Sequence, residues 1–300
     1  MGRFEIVGSG NASSDFADAL AQGVFPEPAD HPIYGNFGRD YYPVAQGDAV
    51  RDCAFVVTDG GRPVLLVECS ARDGLLSHFG FPIRFVFDAE LMPKAQRKCL
   101  NAAFEHLGQL AAGHGADKAL ISGGHTREKL SVMDQACLDR GGLPGLKIRA
   151  EADLHGSEDD LKRGLRDSYK SLINWGRRNI RLDYANAENP DGKMLGALSD
   201  FHAQTAGRTV HGQATWDAMF AFVAGDRGEL SLGYLESGEL VAGTLIIDEG
   251  PTAMYCLAVY DRERFDKPMG HWPLFDAMLR AKARGRDFFD FGEVHPHGTV

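Results

Sequence analysis

The 300-residue chain has little of what would set it apart from ordinary globular proteins. No run of eighteen apolar residues occurs, so no segment reads as a membrane-spanning helix, and Met1–Ser14 lacks the apolar stretch and small-residue cleavage site of a secretory leader. Both absences point to a cytoplasmic protein. Cysteine is scarce: Cys53, Cys69, Cys99, Cys137 and Cys256 are five residues without a C-x-x-C pair. That excludes a disulfide framework and predicts reduced, mostly buried thiols. Positive charge is not in excess either. With 32 Lys+Arg against 42 Asp+Glu the formal charge is −10, which excludes a protein that grips nucleic acid over its whole surface and leaves room for a local basic patch.

The common catalytic signatures are missing too. There is no Gly-x-Ser-x-Gly elbow, phosphate-binding P-loop, strand-linked G-x-G-x-x-G or His-Glu-x-x-His. Asp290-Phe291-Gly292 matches a kinase metal loop in letters but has none of the kinase companions. His295-Pro296-His297 is too little for a metal site, so no metal is expected. Gly8-Ser9-Gly10, with no strand read before it, is expected to be a flexible start.

What is present organises as a duplication. Apolar side chains make up 44% of the chain, enough for full cores, and the length suits two domains. In the first half, Ala54–Val57 and Val64–Val67 flank Asp59-Gly60-Gly61-Arg62, a hairpin whose glycines supply positive φ. A helix over about Pro93–Ala112 and a short strand at Ala119–Ser122 follow. In the second half, Glu229–Leu235 and Leu240–Ile247 flank another turn. Ala253–Tyr260 then reads as a third strand, His271–Arg284 as a helix and Phe288–Phe291 as a last strand. Both halves end as helix, Gly-x-Asp, strand. The expected division is 1–150 and 151–300, with a basic helix over 157–181 opened by a capping box at Ser157 and Asp160.

Three constellations could carry chemistry. From Leu161 to Leu182 seven basic residues stand against one acid, and Lys162, Arg166 and Lys170 recur at the spacing of one helical face, where cations can meet a phosphate. The stretch from Tyr255 and Tyr260 through Arg262, Arg264 and Lys267 to Gly270 and His271 runs from a strand into a helix N-terminus, which favours anions. Asp290 and Glu293 flank a glycine at a strand end, where either could take a proton from an amine, as could His211 or His271.

These stretches resemble the C-terminal half of FemAB-type acyltransferases, whose two halves each have the GNAT fold. The likeness rests on Arg166–Asn174, on Gly207-Arg208-Thr209 with Thr215-Trp216, and on Tyr260–Trp272 leading through Ala281–Gly285 to Asp290–Glu293. It implies an α/β (α+β) chain of two tandem GNAT-like units, each a mixed, mostly antiparallel sheet with flanking helices, the N-terminal one degenerate. It also implies an enzyme that moves an acyl or aminoacyl group from acyl-CoA or aminoacyl-tRNA to an amine of a cell-envelope glycan or peptidoglycan precursor, in polysaccharide biosynthesis. Acyl-CoA or charged tRNA would be a co-substrate rather than a tightly bound cofactor. Under this resemblance Arg166, Lys170, Arg208, Arg264, Lys267, Gly270 and His271 hold the donor, Glu293 or Asp290 assists deprotonation, and Tyr255 or Tyr260 protonates the leaving group. Two departures stand out. The simple coenzyme-A signature is absent from Arg264–His271, and only seven residues follow Glu293 where the family continues with a helix and a strand pair. The C-terminal sheet is therefore expected to be incomplete, with an open edge. The alternative reading is an inactive GNAT-fold module that binds an anionic sugar-nucleotide or a protein partner.

Overall fold

The computed structural model describes residues 4–8, 41, 42, 44, 45, 50–88, 90–122, 130–145, 148–264 and 267–294. The chain forms two compact units, Met1–Tyr34 with Gln46–Gly145, and Gly35–Ala45 with Leu146–Val300. His295-Pro296-His297 lies outside the described residues.

In the first unit β1 (Phe4–Gly8), β3 (Phe55–Asp59), β4 (Arg62–Glu68) and β7 (Arg84–Phe87) form an antiparallel sheet in the order β1-β3-β4-β7. The expected flexible start is thus a strand up to Gly8, held by pairing of Phe4–Gly8 with Phe55–Asp59. The β3–β4 hairpin turns at Gly60 and Gly61, both at positive φ (60° and 82°), as the sequence predicts. A second sheet, β2-β5-β6-β8, joins Arg51–Asp52, Ser70–Arg72, Leu75–Ser77 and Lys118–Ala119. Helix α1 (Pro93–His114) starts with proline and ends at left-handed Gly115. It buries Cys99, Leu100, Ala103 and Leu107 in a core with Phe55, Leu65 and Val67, and α2 (Val132–Leu138) adds Met133 and Ala136 to the same core.

The second unit is built on one six-stranded sheet. Its strands are β9 (Ile148–Asp153), β10 (Arg181–Ala185), β11 (Gly228–Tyr234), β12 (Leu240–Glu249), β13 (Thr252–Tyr260) and β14 (Phe288–Val294), in the order β10-β11-β12-β13-β14-β9. A boundary at 150/151 would cut β9. This strand pairs antiparallel with β14, so the edge expected to be open is covered by a strand that precedes the basic stretch. The expected single helix over 157–181 is two helices and the start of β10. Helix α3 (Glu158–Gly164) opens with the Ser157–Asp160 capping box, Leu165 and Arg166 are extended, and α4 (Asp167–Asn179) begins anew. Gly164, a weak helix former, closes the first piece. Because Arg166 is the residue between them, it does not share one continuous helical face with Lys162 and Lys170.

Helices cover both faces of the sheet. On one, Leu198 of α5 (Gly192–Ala206) meets Gly243, where a Cβ would come within 2.4 Å of it. Helix α6 (Gln213–Ala224) lies beside α5 and β11. On the other, Phe275 and Met278 of α7 (His271–Ala283) pack with Ile246, Ala253 and Phe289, joined by Ile173 of α4. Gly176 marks the crossing of α4 over α7: a Cβ there would lie 2.4 Å from Trp272 Cβ.

Candidate active site

The parallel strands β13 and β14 pair over only three rungs, Thr252↔Phe288, Ala253↔Phe289 and Met254↔Asp290. Beyond Met254 both strands continue, yet no strand among the described residues pairs with β13 on that side. The backbone donors and acceptors of 255–260 that point away from β12 therefore line a gap between two strands that part. At the head of the gap Cys256 is an extra residue in β13, since Leu245 pairs with Leu257 and Ile246 with Tyr255. This bulge re-phases the strand. Without it Tyr255 and Tyr260, five apart, would point to opposite faces; with it both share the face of Ile246 and Ala242, and their hydroxyls hydrogen-bond to each other. Burial, then the neighbouring Tyr260, pushes the Tyr255 phenol far above its ordinary value, and burial also raises Tyr260. Both stay neutral at any physiological pH. Burial lifts the Cys256 thiol to about 12, and burial plus that thiol lifts Tyr41 to about 12. Tyr41, which belongs to the second unit, had no signal in the sequence.

The end of β13 feeds α7. Gly270, its N-cap, lies flat against the Tyr260 ring, and a Cβ there would sit 3.0–3.2 Å from three ring carbons. The helix offers the N–H groups of His271 and Trp272 at its tip, because Pro273 has none. Tyr169 of α4 stacks edge-on against His271, with ring centroids 5.0 Å apart, so the basic stretch and the late turn meet on one side of the unit. Burial holds His271 below its usual range, against a hydrogen bond to the Pro268 carbonyl.

The predicted cations are less free than their count suggests. Lys162 pairs with Glu158, Arg163 with Asp160, Lys170 with Asp167, and Arg177 with Glu158 while also lying over the Trp272 ring. Arg264 is bound to Glu239 and Asp261, closing the hairpin rather than facing a ligand. Arg166, at the N-cap of α4, and Lys267, in the turn before α7, are exposed. Arg208 follows the α5 cap Gly207 on the opposite face of the sheet from α7.

The acids also lie apart from the tyrosines. Asp290 alternates with Phe289, whose ring contacts Tyr255, so Asp290 points to the α5 face. It is buried, ion-pairs with Arg149 of β9 and accepts the Gly292 N–H at 2.7 Å. Glu293 is exposed opposite Arg149. Burial and Asp290 raise Glu151, its partner across β14 and β9, against the pull of Arg149. The structure thus brings together Tyr255, Tyr260, Gly270 and His271, with Tyr169 added. Asp290, Glu293 and Arg208 sit on the other face.

A strand hairpin, a bulged third strand, a helix and a parallel strand that diverges from it form a frame with known counterparts. Residues 162–297 match the family model described as acetyltransferase (GNAT) domain. The second unit has the GNAT acetyltransferase fold. The whole chain resembles the crystal structure of FemX at 13% identity and TM-score 0.65, over 99% of this chain and 90% of that one. It also resembles a tandem GNAT protein from the clavulanic acid biosynthesis pathway at 16% identity and TM-score 0.56, over 98% and 91%. The C-terminal domain of a putative lysylphosphatidylglycerol synthetase from Agrobacterium fabrum matches at 13% identity and TM-score 0.57, over 94% and 79%. These likenesses establish the fold. No curated protein matches the sequence. Among the described residues no helix is long and apolar enough to cross a membrane.

Proposed function

We propose that the GNAT domain transfers an acyl group from an acyl-CoA thioester to a primary amine carried by a cell-envelope glycan or peptidoglycan precursor, inside the cell. The observation that carries this reading is the parting of β13 from β14 directly before the tip of α7. An extended amide-bearing arm can pair with the free β13 backbone in the gap, while a phosphate at its far end meets the His271 and Trp272 N–H groups and the positive end of the helix. Arg166 and Lys267 add cationic charge from the two elements that meet there. The absence of the simple coenzyme-A signature is consistent with an anchor that relies on two N–H groups and on side chains rather than on a glycine-rich turn.

At the reacting end, neutral Tyr255 and Tyr260 hold each other in place. Phenols raised this far are poor sources of a full proton, but they serve as hydrogen-bond donors to charge developing on the leaving sulfur. Asp290, tied to Arg149 and to the Gly292 N–H, shapes the β14 bulge. The cell-envelope acceptor is carried over from the FemAB-type resemblance of Arg166–Asn174 and Tyr260–Trp272.

The test is acyl transfer from acetyl-CoA, longer acyl-CoAs and charged tRNA to a panel of amino sugars, nucleotide-linked amino sugars and peptide amines. Transfer from an acyl-CoA is expected, with Tyr260→Phe lowering kcat about 10-fold to 100-fold and Arg166→Ala with Lys267→Ala raising the donor KM. Binding of a nucleotide sugar without transfer from any donor would replace this reading by the inactive binding module, and transfer from charged tRNA alone would replace the donor.

A further inference from the structure

On the α5 face a pocket of about 230 Å³ opens beside the end of β13, lined by His202, Thr205 and Ala206 of α5, by Ala258, Val259 and Tyr260, and by Arg262. The sequence gives no reason to single out His202. Helix α5 ends one turn later at left-handed Gly207, and the chain folds back so that His211 lies against it, with imidazole centroids 5.5 Å apart and planes tilted by 31°. Buried Trp216 of α6 closes the cluster from behind, edge-on to His202 at 5.7 Å and to His211 at 5.4 Å. His202 is thereby held from behind and reaches the pocket from the helix.

We infer that this pocket takes the acceptor amine and that His202 is the base that removes its proton. The inference rests on the acyl-transfer reading above and assigns the group that reading leaves open. Three observations support it. First, the pocket runs along Ala258–Tyr260 of β13, the stretch whose edge faces the gap, so an amine in it approaches a carbonyl held in the gap from the α5 face, opposite the tyrosine hydroxyls. Second, the titratable and charged groups beside His202 on this face are His211 and Arg262, and the lining holds no carboxylate. Burial, then His211, holds His202 below its ordinary value, and burial does the same for His211, so both are neutral bases near pH 7. Third, the acids that could compete are remote or engaged: Asp290 is held by Arg149, and Glu293 stands on β14, outside the lining.

The step balances simply. The ammonium of the acceptor gives one proton to the free ring nitrogen of His202. The nitrogen lone pair then forms the C–N bond to the thioester carbonyl carbon as the C=O pair moves onto oxygen. When the tetrahedral adduct collapses, the C–S pair leaves on sulfur, which is protonated to the thiol, and the nitrogen loses its second proton to give the neutral amide. Imidazolium returns its proton to solvent.

The experiment measures the pH profile of kcat/KM with acetyl-CoA as donor and glucosamine, a nucleotide-linked amino sugar, lysine and spermidine as acceptor probes. The wild type is expected to lose activity below a pKa under about 6.5. His202→Gln should lower kcat/KM by at least about 100-fold, leave acetyl-CoA affinity and melting temperature unchanged, abolish the acid limb and regain part of its rate with added imidazole. His211→Gln should move the acid limb to higher pH, since a neighbour that disfavours imidazolium is gone. A His202→Gln enzyme within threefold of wild type with its acid limb intact overturns the inference and leaves acyl transfer standing, as does an acid limb that disappears in Glu293→Gln instead. A wild type that acylates no probe overturns the acyl-transfer reading and the inference with it.

Discussion

The two units run the same sequence of elements and differ where chemistry would sit. In the first, β4 pairs with short β7, helix α1 follows, and the return strand β8 joins β6 in parallel over two rungs, with a further parallel bridge at Ile83↔Ile121. In the second, nine-residue β13 carries a bulge, and α7 returns the chain to a parallel ladder of three rungs that then parts. The first keeps the frame and spends it on an apolar core with three buried cysteines. The second uses the same frame to set unpaired backbone, a half-buried tyrosine pair and a helix tip around a gap. A strand long enough to outrun its partner is what separates a scaffold from a site. We take the first unit as a degenerate GNAT-like half on this ground.

Each unit staples one sheet edge with a buried ion pair, Glu68–Arg84 across β4 and β7 and Asp290–Arg149 across β14 and β9. Removing the guanidinium from a buried carboxylate costs about 3–5 kcal/mol. Arg84→Met and Arg149→Met should both lower stability by that amount in urea unfolding. Only Arg149→Met should also lower acyl transfer under conditions where the protein stays folded, because Asp290 shapes the β14 bulge. Equal loss of activity in both would erase the proposed difference between the units.

Helix packing gives the next contrast. Gly176→Val drives a side chain into Trp272 and should destabilise the second unit by about 1–3 kcal/mol through overpacking. Gly108 in α1 has nothing within 4 Å of its missing Cβ, so Gly108→Ala should stabilise the first unit by up to about 1 kcal/mol. Calorimetry of the two variants reads opposite shifts in melting temperature. A stabilising Gly176→Val would contradict the close crossing of α4 and α7.

The smallest expected effect is on pH. His202, His211 and His271, all in the second unit, titrate below their unfolded value. Below about pH 6.5 the unfolded chain binds more protons at these positions than the folded one, so their contribution is intact above that pH and is lost as pH falls towards 5. Melting temperature should fall modestly from pH 7 to 5 and recover part of the drop in a His202→Gln, His211→Gln double variant.

Local chemistry was legible and long-range pairing was not. The glycines at 60 and 61, the Ser157–Asp160 box and the apolar spacing of α1 and α7 announce their elements because each acts within a few residues. The cationic run misleads when counted from Leu161, since Glu158 and Asp160, just upstream, neutralise three of its members. The break at Leu165–Arg166 separates cations that an unbroken helix would have lined up. Nothing local marks Cys256 as a bulge, because the extra residue is defined only by its partners in β12. His202 escaped notice for a related reason: its meaning comes from His211 and Trp216, which reach it only after a turn and a second helix.

The order of β9 and β14 in the chain has a kinetic corollary. Arg149 and Asp290, 141 positions apart, belong to the edge strand β9 and its neighbour β14, so during synthesis β9 must wait for nearly the whole second unit before its partner emerges. Contacts of such separation slow folding, and an early strand left without its mate is a template for pairing between nascent chains. A fragment that starts at 162, where the family match begins, lacks β9 altogether and exposes β14 as a raw edge, inviting self-association rather than a free-standing enzyme.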